Sequence, residues 1–284
     1  MKIREIDPVL VERTVSDLCA DANFRLRPDV LDALRRARER EKDAASIDML
    51  NVLIENARIA AEKTIPLCQD TGMVVVYADL GQNARVAGDG LMSAIDRGVE
   101  KAYREKNLRK SVVRDPLARD NTGTNTPSIV HVDLTGGDRL RIEVMPKGFG
   151  SENKSVVRML EPTSTEHDII DLCVDAVRRA GPDGCPPYIL GVGIGGTMDS
   201  CAMMAKKALL KPISTSEGTF GNTGQDLEHR IERAVNDLGI GVMGLGGRST
   251  VIGVNIRKAP THIAGLPVAV NVSCHALRSA SAEL

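Results

Sequence analysis

Between Ser46 and Leu80 the apolar pattern changes its period, and this change constrains the fold more than any other feature. Met49, Leu50, Leu53, Ile54, Ala57 and Ile59-Ala60-Ala61 recur at helical spacing, with Ser46 placed to cap them. The polar run Ile65-Pro66-Leu67-Cys68-Gln69-Asp70-Thr71-Gly72 follows, and then the branched aliphatics Val74 to Val76. That order reads as helix, exposed loop and buried strand. A chain that joins a long helix to a buried strand through a short loop is a mixed α/β chain.

The rest of the sequence keeps the mixture. Helical spacing predicts helices over Val9–Ala20, around Leu31, Leu34 and Ala37 after Pro28, and over 90–106, 165–180, 200–210 and 225–238. Strands are expected near 73–80, 188–196, 251–256 and 268–272. Two more, over 128–134 and 139–145, are expected to form a hairpin about Thr135-Gly136-Gly137-Asp138. The irregular alternation points to mixed α+β packing: mixed sheets flanked by helices, with room for two α/β lobes around one site. Aromatic residues are only 2% with no Trp, so the core must come from Leu, Ile, Val, Ala and Met.

The same scarcity leaves few stacking platforms for single-stranded nucleic acid. A net charge of -1 gives no field for nucleic acid or an anionic membrane. No apolar run reaches a membrane span and Met1–Glu5 opens no signal region, so a cytoplasmic protein is expected.

The 6 cysteines are scattered, without a CxxC pair, which argues against a disulfide framework or a zinc ribbon. Cys19, Cys173 and Cys201 fall in helical apolar patterns and read as core. Cys68, Cys185 and Cys274 lie in loops or at strand ends beside Pro, Gly or polar residues. Three thiolates are one short of saturating a cubane iron–sulfur cluster and would leave one iron open to substrate as a Lewis acid. The alternative for the Cys68 loop is a structural buried thiol.

The connection from Asn107 to Pro127 is long and polar, and its arginines and lysines suit a small dianion. A glycine turn at 146–154 leads into a helix and offers backbone N–H groups to an anion. Gly191, Gly193 and Gly196 match the spacing of a dinucleotide fingerprint. The strand before them starts with two prolines, and no acidic residue follows at the distance a ribose needs. A glycine turn approaching another ligand is the expectation there. His131 in a strand reads as structural, whereas His262 lies in a loop beside Thr261.

Six stretches taken together resemble one family. They are 65–72, Leu108-Arg109-Lys110-Ser111, Asn121-Thr122-Gly123-Thr124-Asn125-Thr126-Pro127, 146–153, 191–196 and Asn271-Val272-Ser273-Cys274-His275. In order and over nearly the whole length, they resemble the alpha subunit, or N-terminal catalytic domain, of class I iron–sulfur fumarases and L-tartrate dehydratases. Phe149 departs from the smaller residue common at its position.

The resemblance implies one catalytic domain over 1–284 and a [4Fe-4S] cluster held by Cys68, Cys185 and Cys274. It implies that Gln69, Asp70, Arg109 and Gly150 contact a C4 dicarboxylate, and that Asp70 and His262 form an acid/base pair. It further implies a beta subunit that supplies the base on carbon, and a heterotetramer. Fumarate/malate is the leading substrate pair and tartrate the alternative. A glycine-loop nucleotide-binding module and an electron-transfer iron–sulfur protein are the competing classes.

Overall fold

A computed structural model describes residues 3–213 and 223–284. In chain order its elements are β1 (Arg4–Ile6), α1 (Pro8–Phe24), α2 (Pro28–Arg40), α3 (Ala44–Lys63), β2 (Met73–Gly81), β3 (Ala84–Val86), α4 (Gly90–Glu105), β4 (Ile129–Thr135) and β5 (Leu140–Lys147). There follow α5 (Phe149–Glu152), β6 (Val156–Leu160), α6 (Glu166–Ala180), β7 (Tyr188–Gly196), α7 (Met198–Ala208), α8 (Thr223–Asn236), β8 (Val251–Thr261), β9 (Leu266–Ser273) and β10 (Ala280–Glu283). The expected mixture of helices and mixed sheets is present. The chain divides into two compact units, Met1–Arg27 with Ala57–Phe149 and Arg278–Leu284, and Pro28–Asn56 with Gly150–Leu277.

The first unit is built on a four-stranded sheet in the order β10-β5-β2-β4, with a separate β1-β3 pair. β2 runs antiparallel to β5 and parallel to β4. Alternation along β2 sends Val74, Val76 and Ala78 into one core with Val11, Val15 and Cys19 of α1 and Ile95, Val99 and Tyr103 of α4. Asp7 caps α1, accepting from the Val9 N–H at 2.9 Å.

The expected hairpin does not form, because β2 stands between β4 and β5. The 136–138 turn passes instead over the end of β2, where Gln82 N–H donates to Thr135 O at 2.9 Å and Asn83 N–H to Gly137 O at 2.9 Å. Gly81 makes this crossing fit, since a Cβ there would stand 2.6 Å from Gly137 O. Turn chemistry in the sequence marked the reversal correctly but could not tell which strand lay beside it.

The second unit carries the sheet β6-β9-β7-β8. β7 is parallel to β8 and antiparallel to β9. Tyr188, Leu190, Val192 and Ile194 of β7 face a core shared with Ile169 and Cys173 of α6 and Leu227 and Ile231 of α8. On the other face lies α7, with Cys201 and Ala205 against Ala269.

Gly191 and Gly193 are not in a turn: they lie within β7, under α7. A Cβ at Gly191 would stand 2.0 Å from Ala205 O, and one at Gly193 would stand 2.2 Å from Cys201 O. These glycines let helix backbone approach strand backbone. They do not cradle a ligand, and the dinucleotide spacing is coincidental.

The cap of α3 is also different from the expected one. Asp43 accepts from the Ser46 N–H at 2.8 Å, while the buried Ser46 hydroxyl donates to Gly246 O at 2.8 Å. Glu41, in the preceding connection, accepts from the Arg248 N–H at 2.8 Å. The glycine-rich loop 244–249 is thus held by one side chain from the α2–α3 connection, Glu41, and one from the first turn of α3, Ser46.

Candidate active site

In the first unit three of the sequence motifs meet around the loop after α3. Leu67 is buried and its N–H donates to Asn23 O at 2.9 Å, which fixes where the loop starts. Cys68 is half-buried, with its Sγ 3.3 Å from Oε1 of the exposed Gln69. Thr71 donates through its hydroxyl to Arg109 O at 2.7 Å. Asn125 donates to Gly72 O at 3.2 Å and accepts from the Ser111 N–H at 2.7 Å. Tyr103 adds a bond from its hydroxyl to Thr71 O at 2.6 Å. Segments far apart in sequence are therefore pinned to one another through backbone groups, and the exposed Arg109 side chain is carried on a fixed base.

Asp70 is held from both sides. One carboxylate oxygen accepts from the Gly72 N–H at 3.0 Å and the other from the Phe149 N–H at 2.9 Å. The N–H at the start of α5, which the sequence offered to an external anion, is used by the chain's own carboxylate. Arg278, which the sequence reading did not single out, donates to the backbone carbonyl of Asp70 and, at 3.4 Å, to Pro146 O.

In the second unit the antiparallel register Ile189↔Ser273 brings the entry to β7 beside the exit from β9. Cys185 and Cys274 are therefore at the same end of this sheet. Cys185 has a left-handed backbone, with φ 61°, a conformation that a non-glycine residue holds only when its surroundings enforce it. Here Cys185 N–H donates to Pro182 O at 3.1 Å, and His275 N–H donates to Cys185 O at 3.4 Å. The buried Tyr188 clasps the same turn, donating to Gly181 O at 2.7 Å and accepting from the Gly184 N–H at 3.1 Å. Burial pushes the Tyr188 phenol up to about 12, and the nearby Cys185, Asp183 and Cys274 charges push it the same way.

His262 is elsewhere. It follows β8, whose Thr261 pairs with Gly196 at the far end of β7. The nine residues of β7 span roughly 26 Å at ~3.3 Å per residue. His262 thus lies at the end of the sheet remote from Cys185 and Cys274. Its Nδ1 accepts from the Ala264 N–H at 3.1 Å, and Ile263 beside it is 91% exposed.

The thiols divide as the sequence suggested. Cys19, Cys173 and Cys201 are fully buried, and burial pushes their thiols up to about 12, 12 and 11. Cys68, Cys185 and Cys274 are each partly open to solvent. Among the described residues no three His, Cys, Asp or Glu side chains are gathered to hold a single metal ion. A cubane takes each thiolate on a different iron, so its ligands stand farther apart than those of one ion. Exposure leaves the thiols of Cys68, Cys185 and Cys274 available as ligands, whereas those of Cys19, Cys173 and Cys201 are sealed in the core.

The model of the family described as Fumarate hydratase (Fumerase) matches residues 12–283. The chain belongs to this family. Its relatives include a Methanocaldococcus jannaschii protein named "Putative L(+)-tartrate dehydratase subunit alpha", 38% identical over 278 residues, which cover 95% of this chain and 96% of that one. An Escherichia coli protein named "L(+)-tartrate dehydratase subunit alpha" is 29% identical over 267 residues, 93% of this chain and 87% of that one. This family member is a hydro-lyase chain acting on the C4 dicarboxylate class, and the nucleotide-binding alternative falls away. No described helix is long and apolar enough to cross a membrane.

Proposed function

We propose that this chain is the alpha subunit of a cytoplasmic iron–sulfur hydro-lyase that hydrates fumarate or dehydrates malate. The observation that carries the reading is the Asp70 carboxylate, fixed by two backbone N–H groups on a loop joined to the Arg109 and Asn125 segments. L(+)-tartrate is the second reading, favoured by the names of the relatives.

In this proposal residues 1–284 act as one catalytic domain, and Cys68, Cys185 and Cys274 hold a [4Fe-4S] cluster. When bound, that group supplies Lewis acidity to the substrate hydroxyl. Arg109, with Gln69 and the Gly150 backbone, binds and orients the dicarboxylate; a guanidinium matches a carboxylate as a planar fork. Asp70 carries the proton exchanged with the hydroxyl.

His262 completes the acid/base pair from a second copy of the chain, because within one chain it stands at the wrong end of the sheet to share a site with Cys185 and Cys274. A beta subunit supplies the base on carbon. Two alpha and two beta chains then form a heterotetramer, which provides the second copy.

The test is an anaerobic assay of the cluster-loaded chain with its beta subunit on fumarate, malate and both tartrate enantiomers. Turnover of fumarate and malate above tartrate supports the reading. Preference for L(+)-tartrate establishes the second, and activity without the beta subunit overturns the two-chain site.

A further inference from the structure

We propose that Arg278 is a positioning residue whose buried charge sets the affinity of the Asp70 loop for dianions; this rests on the dicarboxylate reading above. Arg278 is 3% exposed. Among the described residues no carboxylate pairs with it, and its Nη1 has no hydrogen-bond partner. Its other bonds go to carbonyl oxygens, those of Asp70 and Pro146. The charge is also close enough to the buried Tyr103 phenol to oppose the upward push of burial and of Cys19.

A guanidinium removed from water without a carboxylate is an expensive arrangement, and buried charges in folded proteins are nearly always paired. What distinguishes Arg278 is that the groups it bonds to are neutral carbonyl dipoles. The Asp70 carboxylate is bonded to the Gly72 and Phe149 N–H groups and not to Arg278, so further negative charge arriving nearby still gains from this cation. The backbone it grips is that of Asp70, so the site receiving that charge is the Asp70 loop. Nη1 is shielded from solvent, so Arg278 acts without touching the substrate: it holds the Asp70 carbonyl and provides a fixed positive field. The chain places it there through β10, which pairs with β5 in the register Ala280↔Val144, next to the strand end that carries Pro146.

The experiment uses the cluster-loaded enzyme with its beta subunit and compares wild type with Arg278→Lys and Arg278→Met. Succinate, an unreactive dianion, is titrated calorimetrically, and kcat and KM are measured on the turned-over dicarboxylate. The expected result is at least a tenfold weaker succinate affinity and a raised KM in Arg278→Met. In Arg278→Lys the charge remains and the fork is lost, so affinity stays within about threefold while kcat falls. Succinate affinity in a folded Arg278→Met equal to wild type overturns the inference. Equal weakening in Lys and Met also overturns it, since the charge would then be immaterial. Wild-type protein that binds no succinate and turns over no dicarboxylate refutes the functional reading itself, which is a separate outcome.

Discussion

His275 and Cys185 are joined twice at one atom: the carbonyl oxygen of Cys185 accepts the His275 N–H at 3.4 Å and lies 3.1 Å from His275 Nδ1. The residue after Cys274 thereby locks the turn that presents Cys185. This explains how a left-handed Cys185 is maintained, and why the two thiols keep a constant relation within the second unit. His275→Ala should leave both thiols in place but lower iron and sulfide content after anaerobic reconstitution by several-fold. His275→Asn, which can restore a bond to the carbonyl, should recover much of it. Full cluster content in the Ala variant would remove this role.

Burial separates the thiols by reactivity. With their thiols pushed up by burial to about 12, 12 and 11, Cys19, Cys173 and Cys201 stay protonated at pH 8, and the thiolate is the reactive form. Iodoacetamide treatment of the folded chain at pH 8 should label Cys68, Cys185 and Cys274 and spare the other three, as read by peptide mass spectrometry. Anaerobic loading with iron and sulfide should protect the labelled set. Rapid labelling of Cys173 would show that the second unit opens readily.

The glycines of β7 provide a stability test. Ala at Gly191 or Gly193 must push α7 off the strand, and overpacking of this kind costs about 1–3 kcal/mol or more. Gly136, whose Cβ would meet nothing within 4 Å, is the control. Gly136→Ala should be neutral or stabilise by up to ~1 kcal/mol through the unfolded chain. Urea unfolding of the three variants measures the contrast; an unchanged midpoint for Gly191→Ala would mean that α7 sits more loosely than described.

These cases show what was legible in the sequence. Periodicity located the helices and strands well, because each pattern is local: the Val74–Val76 run and the α4 face are set by their own spacing. Strand neighbours were not legible, since the turn 135–138 looks the same whether it joins adjacent strands or crosses a third. The glycines of β7 were visible, but their partner, the backbone of α7, was not. The motifs at 65–72, 108–111 and 121–127 stood out in the sequence one by one, and hydrogen bonds to backbone groups join them in the structure. Arg278 carried no signal, because a single arginine in a short C-terminal stretch reads as surface charge until its burial is seen.

The position of His262 gives the last prediction. Within one chain it is a β7 length away from the end that bears Cys185 and Cys274, yet the proposed chemistry pairs it with Asp70. If the pair forms between copies, two defective chains can repair each other. Cys274→Ser removes a proposed cluster ligand but keeps His262, and His262→Asn keeps the cluster ligands but removes the imidazole. Each variant alone, with beta subunit, should lose on the order of a hundredfold in turnover, the usual scale for a general acid–base group, or more for the cluster variant. A mixed enzyme made by co-expressing the two variants should contain assemblies in which an intact cluster site meets an intact His262. Random pairing makes about half of the assemblies mixed, each with one complete site, so activity should return to roughly a quarter of wild type. Mixed enzyme no more active than the average of the two variants would place His262 outside the reaction or confine it to its own chain.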